Sequence, residues 1–212
     1  ETAYAPVDLY FADVNDTGPG ADRWDSNNNH IWGETSDAVE WHPDFWVGRA
    51  SVNSAAEAAL YVDKVLIYEH MQTPPGQDYF ETAPVELRIG YSTGILWYSP
   101  YCPGSAGAEI ISGYVPDSPV WEEEKLNEGT TGNSTAMTIA MINAGPHHVY
   151  HASHGSETAM YTANGDNFTA GQIMALTNMT TGDNVAIWNS IACLIGALDT
   201  GTCCGDAWNN ST

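Results

Sequence analysis

Apolar positions along this chain switch repeatedly between strand spacing and helix spacing. Residues 1–48 are aromatic, rich in Asp, Asn and Gly, and weakly periodic, with Tyr4–Ala12 reading as a strand. The clearest helix follows at Ser54–Glu69, where Leu60, Lys64 and Ile67, with Tyr61, Val65 and Tyr68, recur at the three-to-four spacing of one face. Ser54 is placed to cap it, Glu57 stands in the capping-box position, and Pro74-Pro75-Gly76 blocks continuation. From Pro84 onward strands and helices alternate. Val85–Tyr91, Val120–Leu126, His148–Ala152 and Val185–Ala192 read as strands. Ala106–Val115 reads as a short helix or turn, and Thr135–Asn143 and Thr169–Thr177 as helices. That order predicts an α/β fold with a mainly parallel, layered sheet. Four strands with one reactive end read as an incomplete sheet, so more polypeptide is expected before and after this segment.

Two of the strands end in reactive residues. His148–Ala152 runs into Ser153-His154-Gly155, and Val185–Ala192 runs into Cys193. Ligands bind beyond the carboxyl ends of the strands in an open α/β sheet, so His154 and Cys193 can become neighbours there. A thiol beside an imidazole is the arrangement a thiolate nucleophile needs.

The composition narrows the function classes. With 43% hydrophobic and 11% aromatic residues, 212 residues suffice for a folded globule with a sizeable core. The 27 acidic residues against five basic ones give a net charge of −22. Such a chain cannot neutralise phosphates, which excludes nucleic acid and anionic membrane surfaces as partners. No run approaches the ~20 apolar residues of a membrane span. Glu1-Thr2-Ala3 resembles a start left by cleavage rather than a signal peptide. Sequons begin at Asn15, Asn133, Asn167, Asn178, Asn209 and Asn210, which fits an extracellular, secreted protein.

Two further clusters bear on chemistry. In Asp25–Glu34, oxygen ligands alternate: Asp25, Asn27, Asn29, the Ile31 carbonyl and Glu34 suit a structural Ca²⁺. The loop departs from the EF-hand pattern, with no Gly at position 6 and an early glutamate, and its plainer reading is a set of Asx-turns. His147, His148, His151 and His154 invite a zinc reading. Residues three apart on a strand face opposite ways, however, and His148 and His154 lie about 20 Å apart by strand rise, so they do not converge. Of the cysteines, a bridge from Cys102 to Cys203 or Cys204 leaves Cys193 free; the alternative makes Cys193 a buried, inert thiol.

His154-Gly155 after an apolar run, followed by an apolar run ending Ala192-Cys193, resembles the His-Gly and Ala-Cys motifs of caspase-like cysteine peptidases, and within them the gingipain (C25) family. Pro43–Val52, His154–Thr158, Leu176–Asn178 and Cys204–Trp208 are similar to that family's segments, and the resemblance spans residues 8–208. It implies a caspase-like α/β/α layered fold, with residues 1–48 as a calcium-binding remnant of an upstream subdomain and 49–212 as a catalytic subdomain lacking its last strands. It implies a cysteine endopeptidase acting on proteins or peptides, processed from a zymogen. A second fragment of the same precursor would then complete the sheet. Cys193 would attack, His154 would protonate the leaving amine, the N–H groups of Gly155 and Cys193 would hold the oxyanion, and Asp44 would assist the histidine. From a different class, a catalytically idle caspase-like module that binds in a calcium-dependent way would share the fold, and a metal-dependent hydrolase using the histidines is a third reading.

Overall fold

A computed structural model describes residues 24–37, 39, 44, 47–70, 87–98, 101–116, 121–128, 133–162, 166–178, 185–197 and 203–211. The chain divides into two units, Glu1–Ala50 and Ser51–Thr212. The strand expected at Tyr4–Ala12 lies outside the described residues. In the first unit a turn-rich loop leads into a short 3₁₀ helix, Thr35–Asp37.

The second unit opens with α1, Ala55–His70. Its start follows from side-chain chemistry: Ser54 Oγ accepts from Glu57 N at 3.2 Å, while Glu57 reaches one residue further back, accepting from Asn53 N at 2.6 Å. The face carrying Leu60, Tyr61, Lys64, Ile67 and Tyr68 turns inward, and Val65, expected beside them, is exposed. Lys64 is buried because its ammonium serves the end of another helix. It donates to the carbonyls of Trp208 at 3.0 Å and Asn209 at 2.9 Å, and to Ser211 Oγ at 3.3 Å.

Four parallel strands form the main sheet: β1 (Leu87–Thr93), β4 (Trp121–Leu126), β5 (His148–Ala152) and β9 (Ile187–Ile191). Their order is β4-β1-β5-β9. Between β1 and β4 come the hairpin of β2 (Ile95–Tyr98) and β3 (Tyr101–Pro103), then α2 (Gly104–Ser112). α3 (Thr135–Asn143) links β4 to β5. The connection from β5 to β9 holds a small antiparallel sheet of β6 (Gly155–Ser156), β7 (Ala159–Tyr161) and β8 (Asn167–Thr169), then α4 (Ala170–Met174). α5, Cys204–Asn210, follows.

Alternation along β5 separates two cores. Val149 faces a cluster with Met141 and Ile142 of α3, Phe168, Ile173 of α4 and Ala207 of α5. Tyr150 and Ala152 face Ala108 of α2, with Ile89 and Tyr91 of β1. Helices therefore cover both faces, giving the layered parallel α/β arrangement the pattern predicts.

Helix α3 and strand β5 coincide with the sequence expectation, and the other elements shift at their ends. β1 runs to Thr93 rather than Tyr91, and α2 starts at Gly104 rather than Ala106. The early start has a steric cause: Gly104 N donates to Gly94 O at 2.8 Å, and a Cβ at 104 would lie 2.2 Å from Ala152 O. Thr169 belongs to β8 and caps α4, sharing a capping box with Gln172, so that helix starts at Ala170.

The bridge expected from Cys102 is not formed, as all four cysteines are free. Cys102 sits in the β2–β3 hairpin, while Cys203 is occupied as the N-cap of α5, its sulfur accepting from Asp206 N at 3.4 Å.

Two imidazoles on this sheet are held neutral by burial: those of His147 and His151, each pushed down to about 4. A folded-state value below that of the unfolded chain means the unfolded state takes up the proton first. The stabilisation is therefore whole above about pH 6.5 and is lost as pH falls towards 4, at up to roughly 1.4 kcal/mol per unit for a fully buried ring. Acidic self-repulsion also eases over that range, so the readout is a difference. Urea denaturation of wild type and His151→Gln between pH 7 and 4 is expected to show the wild type losing stability more steeply. Parallel curves would refute the assignment.

Candidate active site

Strands β5 and β9 are paired in parallel from His148↔Ile187 to Ala152↔Ile191, and Ser153 N still donates to Ile191 O at 3.1 Å. His154 and Cys193 each lie two residues beyond the last pair. Both therefore sit just past the carboxyl ends of neighbouring strands, whose spacing is about 4.8 Å. Both residues are exposed. The sheet order reverses between β1 and β5, one strand away, which is where open α/β sheets leave a crevice.

Contact between the two loops is tight. A Cβ placed on Gly155 would meet Cys193 O at 2.8 Å, Ala192 Cβ at 2.9 Å and Ile195 Cγ2 at 2.9 Å. Only a glycine lets the backbone after His154 lie on the backbone at Cys193. Beyond the thiol the chain turns sharply: Leu194 takes a positive φ of 58°, and Ala197 N donates to Leu194 O at 3.0 Å.

The first turn of α5 pins both loops, and the sequence analysis gave it no such part. Cys204 N donates to Glu157 O, three residues after His154, at 2.9 Å, and Gly205 N donates to Ile195 O, two after Cys193, at 2.9 Å. These are helix-end N–H groups that have no partner inside their own helix. Asp206 completes the capping box with Cys203 and accepts a short hydrogen bond from Ser51 Oγ. A carboxyl residue three positions after Cys203 was the available signal, obscured because cysteine is not among the usual caps.

Cys193 is set apart from its fellow thiols by exposure. Burial raises the Cys204 thiol to about 11 and also raises that of Cys203, so both stay protonated and inert. Cys102 is half-buried. A cavity of about 230 Å³ lined by Lys64, Tyr68, Val185, Ile187 and Trp208 lies at the amino end of β9, opposite the end that carries Cys193, and belongs to other contacts.

The remaining predicted site residues lie in the first unit. Asp44 is exposed. Asp25, Asn27, Asn29 and Glu34 come together in one loop. Glu34 Oε1 accepts from Asn27 Nδ2 at 2.5 Å, Asn29 Nδ2 at 2.9 Å and Ser36 Oγ at 2.6 Å. The Asp25 carboxylate accepts from Asn29 N and His30 N, and the side-chain oxygens of Asn27 and Asn29 accept from Asn29 N and Ile31 N. These are Asx-turns, curled by positive φ at Asn28 and His30. Hydrogen bonds from Ser36 and Asn27 lower the Glu34 carboxyl below its ordinary value. Among the described residues no three His, Cys, Asp or Glu side chains cluster as metal ligands.

The layered parallel α/β fold is the caspase-like one. The chain belongs to peptidase family C25, whose family model matches residues 1–212. Its structure is similar to that of the Arg-specific cysteine proteinase gingipain R, with a TM-score of 0.62 and 18% identity over 80% of this chain and 37% of that one. It is similar to a complex of the pro- and mature domains of RgpB from Porphyromonas gingivalis, with a TM-score of 0.62, 18% identity and coverage of 80% and 38%. A further structure titled a protease gives a TM-score of 0.58, 22% identity and coverage of 82% and 35%. The chain thus spans little more than a third of the length of these proteins. No curated protein matches it.

Gly155→Ala is expected to destabilise the protein by about 1–3 kcal/mol, because the added methyl must displace the backbone of Cys193. Gly196→Ala, whose Cβ would meet nothing within 4 Å, serves as the control. Equal urea midpoints for the two variants would refute the contact.

Proposed function

We propose that this chain carries the catalytic dyad of a secreted cysteine endopeptidase that hydrolyses proteins or peptides. The observation that carries the reading is a free, exposed Cys193 and an exposed His154, each two residues past the last pair of neighbouring parallel strands, with Gly155 packed against Ala192 and Cys193. A disulfide at Cys193 would have favoured an idle binding module, and the thiol is free.

In the proposed reaction the Cys193 thiolate adds to the scissile carbonyl, and the oxyanion is held by the N–H groups of Gly155 and Cys193. Each donor of that kind is worth about 3 kcal/mol in a transition state. Collapse of the adduct breaks the C–N bond as the His154 imidazolium gives its proton to the leaving amine. Water, deprotonated by the now neutral His154, then hydrolyses the thioester and restores both groups. Asp44 is assigned to assist His154 on the resemblance alone. The net charge of −22 suits work in salty extracellular fluid, where screening eases self-repulsion, and no helix among the described residues is long and apolar enough to cross a membrane.

Processing from a zymogen and pairing with a second fragment of the precursor complete the proposal. In their support, β9 ends the described sheet with Ile187 and Ile191 exposed. One of the similar structures joins a pro-domain to a mature domain.

Fluorescein-labelled casein is the direct test. Wild type is expected to cleave it within chain interiors, and Cys193→Ala to lose about a thousandfold or more in kcat. Full activity of that variant would refute the dyad.

Calcium is proposed as a structural clip in the loop of Asp25, Asn27, Asn29, the Ile31 carbonyl and Glu34. Support comes from the convergence of Asn27 and Asn29 on a Glu34 carboxylate held ionised. An ion there would require both amides to turn their oxygens inward. Glu34→Gln is expected to weaken calcium binding by about tenfold or more, since a full charge is lost from a hard-cation site. Calorimetric titration checks this, and unchanged affinity, or no binding in wild type, refutes the site.

A further inference from the structure

His151 is one of the largest fully buried side chains in the protein, at 1% exposure, and the proposed dyad does not use it. It sits on β5 directly opposite Ser190 on β9. Its Nε2 lies 3.1 Å from the carbonyl oxygen of Tyr161, which can only accept, so Nε2 carries the proton. Nδ1 is then an acceptor, and the Ser190 hydroxyl 2.8 Å away donates to it. Burial favours the neutral ring this requires.

Both partners lead to the candidate active site. Ser190 is on β9, three residues before Cys193, which lies just past the strand end. Tyr161 is on β7, and its own N–H donates to the carbonyl of His154 at 3.0 Å. One imidazole therefore ties the strand that delivers the thiol to the backbone of the residue that delivers the imidazole. Trp188, two positions before Ser190, packs edge-on to the His151 ring at 6.3 Å and stacks on Phe168 at 5.8 Å, so the ring has little room to tilt.

We propose that His151 is a positioning residue for the dyad: through Ser190 on one side and Tyr161 on the other, it fixes the spacing between Cys193 and His154. The inference rests on the dyad reading above. It goes beyond a satisfied core histidine because one hydrogen bond runs to the strand that leads to Cys193 and the other to the residue whose N–H holds the His154 carbonyl. A misplacement of about 1 Å at a reacting pair costs on the order of a hundredfold in rate, so a buried spacer can act on chemistry without touching substrate.

The experiment uses the full-length protein, fluorescein-labelled casein for turnover, and iodoacetamide alkylation followed by peptide mass mapping, with Cys102 as the internal reference. Rates are expressed per folded molecule. His151→Asn keeps an acceptor near the Nδ1 position but cannot reach Tyr161, whereas His151→Gln places an amide N–H near the Nε2 position. His151→Asn is expected to lower kcat by about tenfold or more with KM within about twofold, and to slow Cys193 alkylation comparably while Cys102 is unaffected. His151→Gln, which keeps the Tyr161 link and loses the Ser190 one, is expected to lower kcat by only about threefold. Equal rates in the two variants, or per-folded-molecule rates unchanged from wild type, overturn the proposal. Should the His151 variants fail to fold, Ser190→Ala cuts the β9 link alone, and an unchanged kcat and alkylation rate in it overturn the proposal equally. If casein is not cleaved by wild type, the alkylation ratios decide. An active Cys193→Ala variant overturns the dyad itself, which is a different outcome from an inactive one accompanied by unaffected His151 variants.

Discussion

Everything at the carboxyl edge of this sheet depends on the parallel register of β5 and β9. A parallel ladder keeps equal residue counts at equal height, so the two segments that carry His154 and Cys193 leave it together, at Ala152 and Ile191. A slip of one residue would turn the side chains of β9 over, sending Trp188 and Ser190 to the face that now shows Ile187 and Ile191. Side-chain packing opposes that slip. Trp188 is stacked on Phe168 and meets Trp208 edge-on at 4.2 Å, and aromatic pairs of this kind contribute about 0.5–1.5 kcal/mol each beyond their burial. Register at this edge is thus supported by aromatic packing of β9 against the small sheet and α5.

The layers above and below that ladder divide the labour. α2 covers one face through Ala108 and leaves the edge open, while α3, α4, α5 and the small β6–β8 sheet cover the other. The small sheet and α5 lie in sequence on either side of β9 and do more than fill volume. β7 holds the backbone of His154, and the first turn of α5 holds the carbonyls of Glu157 and Ile195. Each hydrogen bond of this type contributes about 1 kcal/mol net. Their greater effect is geometric, since they bind the loop after the histidine and the loop after the cysteine to one rigid end of a helix. Lys64 closes the other end of that helix by taking its final carbonyls, a cation placed where the helix dipole favours one.

What the sequence disclosed and what it hid follow from the range of the interactions. α3 was legible as a compact, mostly apolar run that Ser134 caps locally, and β5 because five residues of strand character end in small ones. The order of strands and helices was enough to predict a layered parallel sheet, and the ends of β5 and β9 fall where the apolar runs stop, just before His154 and Cys193. β6, β7 and β8 were missed because strands of two or three residues have no period to read; their pairing exists only in three dimensions. α5 was missed because its cap is a cysteine. The expected bridge from Cys102 failed for the same kind of reason, since cysteine count carries no information about distance. His151 was read only as an unconvincing zinc ligand, because its partners are a serine on another strand and a backbone carbonyl, and a carbonyl leaves no trace in sequence.

His151 and His154 show how position alone separates two identical side chains. They lie three residues apart, and the strand ends between them. Inside the strand, His151 alternates onto the covered face, loses its water and takes fixed partners at both nitrogens, which favours a neutral ring. Past the strand end, His154 is no longer bound to alternation or to the ladder, and its side chain reaches solvent. A group that must gain and lose a proton in each turnover needs that access, and a group that must hold two segments still needs its absence. The same logic sorts the thiols, with Cys203 and Cys204 buried and protonated beneath the edge and Cys193 exposed upon it. Position past the strand ends thus leaves His154 and Cys193 exposed, while His151, Cys203 and Cys204 are buried.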